Sequence, residues 1–410
     1  MTDTAGTAEQ GQGGAAGDAG TQEPLDAQEQ EGAQEAAQRL RRRTAWRAAG
    51  RALARPPMDL SLGDRLTALA TEAGSVTALD RPVDMYGDGV VTDLEERIAD
   101  LLGTEAAAFF PTGTMAQQVA LRCWAGRTGN STVALHPQAH PEVHERGALG
   151  AVSGLRTVHP TSAPRLPTAQ EIRDFAEPFG TLMLELPLRD AGFVLPTWEE
   201  LEAVVAAARE REAVVHFDGA RLWECSSHFG RELPEIAALA DSVYVSFYKS
   251  LGGISGAALA GSESLIAEAR TWRHRYGGQL AQQFPAALSA LIGLDQELPL
   301  LPSYVAQARM VAGVLAEALP AAGVGWSRVH PEPPHTHQFQ VWLPYEADVL
   351  TEASVRQAEE TGVVLFRTWR PCDTGPGGVA FTEVTVGRDG LEWTAADVRA
   401  AVADFVARLP

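Results

Sequence analysis

From about residue 58 onward, short apolar runs alternate with stretches of helical periodicity, which confines this chain to an α/β sheet covered by helices. Residues 105–110 read as a strand, and residues 181–186, 213–217 and 242–247 as buried strands rich in β-branched and aromatic side chains. Pro111-Thr112-Gly113-Thr114 forms a turn leading into a helix over 115–125. Residues 198–212 read as a helix with Leu201, Val204, Val205 and Ala208 on one face. Near Pro302 the pattern changes to α+β. A helix runs to Leu319, a strand covers 337–343, a helix covers 355–360 and a strand covers 363–367. The chain therefore divides into a large domain over 58–300, with a mostly parallel sheet, and a smaller C-terminal domain over 301–410.

Residues 1–38 hold eight acidic residues and no basic one among Gln, Gly and Ala, a composition that cannot bury enough apolar surface to fold. They are expected to be a disordered acidic tail. Residues 39–57 carry Arg39, Arg41, Arg42, Arg43, Arg47, Arg51 and Arg55 at helical spacings. This is an arm that either docks on a neighbouring subunit or, as the more ordinary reading, forms a solvated cationic helix. The net charge of −20 argues against nucleic acid or an anionic membrane as partner. No signal peptide or membrane span is evident, and the three scattered cysteines, Cys123, Cys225 and Cys372, imply neither a disulfide framework nor a metal site. A cytoplasmic protein without metal is expected.

One lysine, Lys249, stands among 32 arginines. Arginine replaces lysine wherever only a positive charge is wanted, but it cannot supply a neutral amine nucleophile. Three local features give that lysine a task. Thr112-Gly113-Thr114-Met115 opens a helix, where free backbone N–H groups make an anion site for a phosphate, with Gly113 and Thr114 as its donors; a plain helix cap is the simpler alternative. Val214-Val215-His216-Phe217-Asp218-Gly219-Ala220-Arg221 places a carboxylate just past a buried strand, where it is costly unless something positive meets it. Asp218 as an ordinary helix cap and Arg221 as a surface charge are the bland readings. Val243-Tyr244-Val245-Ser246-Phe247-Tyr248-Lys249-Ser250-Leu251-Gly252-Gly253 delivers the lysine from an apolar strand to a glycine-rich turn, where desolvation favours the neutral amine. A phosphate turn, an acid for a ring nitrogen and an amine nucleophile, each at a strand end, converge on pyridoxal 5′-phosphate (PLP) bound to Lys249 as a Schiff base.

The order Tyr86-Gly87-Asp88, Thr112-Gly113-Thr114-Met115, His140, Asp218-Gly219-Ala220-Arg221 and Lys249 resembles the threonine aldolase branch of the β-eliminating lyases, from about Met58 to Leu294 and more faintly beyond. The resemblance implies a fold-type I PLP enzyme that cleaves or forms the Cα–Cβ bond of a β-hydroxy-α-amino acid, acting as a homodimer or homotetramer. It implies that His140 stacks on the cofactor ring, with Glu145 supporting it. Gly113 and Thr114 would hold phosphate, Asp218 the ring nitrogen and Arg221 the substrate carboxylate. Three segments depart from the family pattern. Glu185 is followed by Leu186-Pro187-Leu188 where relatives have Asn-Thr-His. Gly277-Gly278-Gln279-Leu280-Ala281 lacks the usual arginine, and Thr382-Glu383-Val384-Thr385-Val386 lacks another. Arg189, Arg367 and Arg370 are candidates for the missing cation, and His140 or a bound water for the base. The departures leave room for β-elimination or transamination of an unusual amino acid, or for a non-catalytic binding subunit.

Overall fold

The computed structural model describes residues 23–372 and 377–410, beginning in helix α1 (Glu23–Ala48). The first 22 residues of the expected acidic tail lie outside the described residues, and α1 begins within the remainder of that segment.

Alternate residues of the apolar runs turn to opposite sides of one sheet, and both sides are covered. Ala107, Phe109, Val243, Val245, Ala258 and Ala260 pack on one side; Ala108, Phe110, Tyr244, Ala257 and Leu259 pack on the other. A two-residue period that is apolar in both phases is the mark of a sheet buried between two helical layers. The second side is covered by α2 (Gly113–Thr128), through Ala116, Val119, Ala120 and Cys123. The first receives Leu201, Val204 and Val205 of α3 (Trp198–Glu210), whose start is fixed by a reciprocal capping box between Thr197 and Glu200. Fully burying a phenylalanine such as Phe109 or Phe217 contributes roughly 1.5–3 kcal/mol each.

The sheet has seven strands: β1 (Ala106–Phe110), β2 (Thr132–Ala134), β3 (Arg156–Val158), β4 (Thr181–Glu185), β5 (Val214–Gly219), β6 (Ser242–Ser246) and β7 (Ala257–Gly261). Their order is β1-β7-β6-β5-β4-β2-β3. Only β7 runs against its neighbours, so the other six point the same way. The mostly parallel sheet matches the sequence expectation; β2, β3 and β7 add strands that the residue pattern does not announce.

The smaller domain is a four-stranded antiparallel sheet of β8 (Arg328–His330), β9 (Gln338–Leu343), β10 (Arg370–Pro371) and β11 (Ala380–Thr385), in the order β10-β11-β9-β8. Helices α4 (Leu301–Ala321), α5 (Ala347–Thr361) and α6 (Ala395–Val406) accompany it. The strand expected over 363–367 shortens to Val363–Val364, which pairs in parallel with Arg51–Ala52 and stands outside the four-stranded sheet. The boundary at 300/301 is also less sharp than expected: Leu301 and Tyr304 of α4 belong to the large core, whereas Ala308, Val311 and Leu315 belong to the small one.

The arginine-rich arm is a wall of the small domain of its own chain. Ala45, Ala49 and Ala52 pack on Val355, Ala358 and Val364, and Leu53 enters the small-domain core. Arg41 bridges Glu352 (2.8 Å) and Glu359 (2.7 Å), Arg51 meets Asp397 (2.7 Å) and Arg55 meets Asp389 (3.3 Å). These three arginines thus pair with carboxylates hundreds of residues away in the same chain. Among the described residues no helix is long and apolar enough to cross a membrane.

Candidate active site

Six parallel strands bring their carboxyl ends to one edge, the usual place for ligands in open α/β sheets. Residues at or just past the ends of β1, β4, β5 and β6 collect there: Gly113, Glu185, Asp218 and Lys249. Glu185 and Asp218 are in direct register across β4 and β5, and Asp218 is in register with Tyr244 of β6. In-register partners share a face, so two buried carboxyls lie side by side with Tyr244 next to them on the neighbouring strand.

Burial pushes the Asp218 carboxyl up from the usual carboxylate range, and Glu145 adds to the rise. Burial, then Asp218, does the same to Glu185. The one hydrogen bond the Asp218 carboxylate accepts among the described residues comes from the Ala220 N–H (3.2 Å), and no guanidinium or ammonium lies within 4.0 Å of it. Glu185 accepts two backbone bonds, from His140 N–H (2.7 Å) and Arg189 N–H (3.2 Å). It thus brackets two segments, the turn at His140 and the loop after β4.

Lys249 is lowered to about 8, first by burial, then by the guanidiniums of Arg221 and Arg189; Asp218 and Glu185 oppose the shift. An amine held there has a far larger neutral fraction near physiological pH than an ordinary lysine. Its Nζ lies 4.8 Å from the Tyr248 ring centroid.

Thr112 caps α2 by accepting the Met115 N–H (3.2 Å), while the amides of Gly113 and Thr114 donate to no protein atom among the described residues. Gly113 is required: a Cβ there would run into the Tyr244 hydroxyl. Gly219 is required for a similar reason, since its Cβ would lie 2.7 Å from the Tyr244 carbonyl. The Ser246 hydroxyl, at the end of β6, is buried without a partner. His140 is half-exposed, with Nδ1 3.1 Å from the buried carboxylate of Glu145, whose other oxygen faces Gln118 (3.4 Å). Arg221 has no carboxylate within 4.0 Å among the described residues, and its Nε is buried without a partner. Its guanidinium lies over Phe193, a buried residue held at φ 59°, which is uncommon for a bulky side chain.

The other candidate cations are engaged. Arg189 pairs with Glu383 (2.8 Å), Arg370 lies 3.7 Å from the same carboxylate and Arg367 pairs with Asp59 (2.6 Å). Sequence reasoning also missed a buried link between the domains. His337, just before β9, faces the Val386 carbonyl through Nδ1 (2.6 Å) and Glu224 through Nε2 (3.2 Å). Glu224 in turn accepts the hydroxyl of Ser250, the neighbour of Lys249. Both ring nitrogens of His337 face acceptors: burial opposes its charge, but Glu224 and the carbonyl raise its pKa overall. A cavity of about 710 Å³ opens beside Lys249, walled by Arg221, Tyr248, Gln338, Glu383, residues 53–57 of the arm and Met58.

Residues 76–330 match the family described as beta-eliminating lyase. The chain belongs to that family. This lyase is 28% identical over 298 residues to low-specificity L-threonine aldolase 1 of Arabidopsis thaliana, covering 69% of this chain and 80% of the relative. It is 33% identical over 243 residues to the low specificity L-threonine aldolase of Escherichia coli K12, covering 57% and 72% respectively. A solved structure from Listeria monocytogenes, provisionally assigned as an L-allo-threonine aldolase, superposes with a TM-score of 0.80 at 34% identity, covering 90% of the lyase and 99% of that chain.

Proposed function

We propose that this lyase uses PLP, held by Lys249, to cleave the Cα–Cβ bond of a β-hydroxy-α-amino acid, giving glycine and an aldehyde. The observation that carries the reading is Lys249: a desolvated amine at the strand edge, one strand away from a buried acid that lacks a cation. The residues present fit the cofactor. Asp218 offers a carboxylate to a protonated ring nitrogen, the free amides of Gly113 and Thr114 and the orphan hydroxyl of Ser246 suit a phosphate, and His140 offers a ring held by Glu145. Bound there, PLP supplies an electron sink for the pair released at Cα. Arg221 holds the substrate carboxylate and so fixes which Cα bond is presented for cleavage. Tyr248 and Arg221 wall the cavity around the amine and limit its access to water.

The direct test is incubation with L-threonine, L-allo-threonine and phenylserine while assaying glycine and aldehyde. Pyruvate and ammonia in their place would mean elimination and overturn the reading. Arg221→Leu is expected to lower kcat/KM by removing a charged hydrogen-bonded contact of roughly 1.5–3 kcal/mol, or roughly 10–150-fold. Steady-state kinetics on phenylserine would measure it, and an unchanged kcat/KM would remove Arg221 from the site.

The working unit is a homodimer or homotetramer in the cytoplasm. The exposed apolar side chains of Met58, Leu62, Leu66, Val83, Met85 and Tyr86 support a second copy as the surface that covers them.

A further inference from the structure

Cleavage requires a base for the β-hydroxyl proton, and residues 186–188, directly after Glu185, supply no titratable side chain. Leu188 is fully buried and bridges Val194, closing a short loop. At the head of that loop Asp190 turns back, and its carboxylate accepts from Nε2 of His144 at 2.8 Å. Nδ1 of His144 has no partner among the described residues. The ring centre lies 5.2 Å from that of His140, one helical turn earlier, and the side chain is 36% exposed.

Both members of this pair are tied to the cofactor edge through one carboxylate. Glu185 binds the backbone N–H of His140 on one oxygen and that of Arg189 on the other, so the turn bearing His144 and the loop bearing Asp190 are fixed to the residue beside Asp218. The other charged groups near the pair are Arg189, 3.7 Å from Asp190, and Glu145, which is occupied by His140. Glu142, on the same turn, faces His159 (3.7 Å).

We propose that His144, oriented by Asp190, is the general base for the β-hydroxyl of the substrate, an inference that rests on the aldol-cleavage reading above. Nδ1 takes the hydroxyl proton. The O–H electrons become the second bond of the aldehyde carbonyl as Cα–Cβ breaks, and the pair left at Cα is matched by an incoming proton, giving glycine. Asp190 keeps the Nε2 proton in place and stabilises the imidazolium that forms; it is a positioning residue.

The test uses the PLP-loaded enzyme and phenylserine. His144→Ala is expected to lower kcat by on the order of 10²–10⁴-fold, the usual range for a general base. KM should change little, and the glycine dissociation constant, read from the cofactor absorbance, should be unchanged because glycine has no hydroxyl. Added imidazole should restore a measurable part of kcat in His144→Ala and none in His144→Phe, whose side chain fills the space. Asp190→Asn should lie between wild type and His144→Ala. The proposal is overturned if His144→Ala retains kcat within a few-fold, if glycine binding weakens in parallel with kcat, or if imidazole has no effect. Wild-type enzyme that releases no glycine from any β-hydroxy amino acid would defeat the aldol reading instead.

Discussion

Replacing Lys249 by alanine is expected to lower turnover by on the order of 10⁴–10⁶-fold, as removal of a covalent catalytic group does in other enzymes. It should also abolish the near-ultraviolet and visible absorbance that PLP gains when bound to a lysine. The substitution removes the only lysine of the chain, so no second ε-amine can take over. That singularity also makes the group measurable in the cofactor-free protein. Reductive methylation with ¹³C-formaldehyde would mark one side chain, and its NMR shift should titrate at about 8, below the usual lysine range. Burial is the first cause of that depression and Arg221 the second, so Arg221→Leu should move the titration upward. A Lys249→Ala enzyme that kept wild-type turnover, or a methylated lysine that titrated at its ordinary value, would contradict the desolvated-amine account.

The second large effect concerns stability. Glu224→Gln is expected to cost roughly 1–3 kcal/mol of unfolding free energy, because removing one member of a buried pair leaves the other buried without its partner. His337 would then face the Val386 carbonyl with no carboxylate near it, and burial would favour its neutral form. Glu224 is held below the usual carboxylate range, with His337 the chief opponent of the burial penalty, whereas His337 is raised. The stabilisation from Glu224 is present above its unfolded pKa and lost as pH falls through the lower folded value. That from His337 is present below its unfolded pKa and lost as pH rises through the higher folded value. Between the ordinary values of about 4.3 and 6.5 the pair therefore contributes in full. Denaturant unfolding of wild type and Glu224→Gln across pH should show the largest gap in that window and a narrowing gap on either side. A gap that did not vary with pH would mean that packing, not charge, accounts for the loss. Because Ser250 donates to Glu224, the variant should also weaken cofactor retention, a readout that a remote core defect would leave alone.

What could be read from sequence was local. Lys249, Asp218, Arg221 and the Gly113 turn each lie within a few residues of a strand end, so strand pattern and residue chemistry located them together. Strand β7, Ala-Ala-Leu-Ala-Gly, has little intrinsic strand preference and exists because β1 and β6 offer edges on both sides. The polar constructions joining distant positions were not legible. His144 and Asp190 are 46 residues apart, Arg367 and Asp59 are 308 apart, and Glu224 meets a histidine from another domain. Each of these side chains alone looks like an ordinary surface charge, and only the fold shows which are buried and facing one another. The family resemblance pointed to His140 but not to what fixes its backbone, the hydrogen bond its N–H donates to Glu185.

Helix α4 begins in one hydrophobic core and ends in the other, with Leu301 and Tyr304 in the first and Ala308, Val311 and Leu315 in the second. The arm makes a similar crossing, since Leu53 enters the small core while residues 53–57 wall the cavity beside Lys249. A rigid rod seated in both halves cannot act as a hinge, and neither half retains its full interior if the rod is cut. The two lobes are therefore poor autonomous folding units: loss of the smaller one would expose apolar surface on the larger and open the wall beside the lysine. Assembly of the catalytic edge is in this way coupled to completion of the last hundred residues of the chain, so a partly synthesised chain has no finished site in which to bind cofactor.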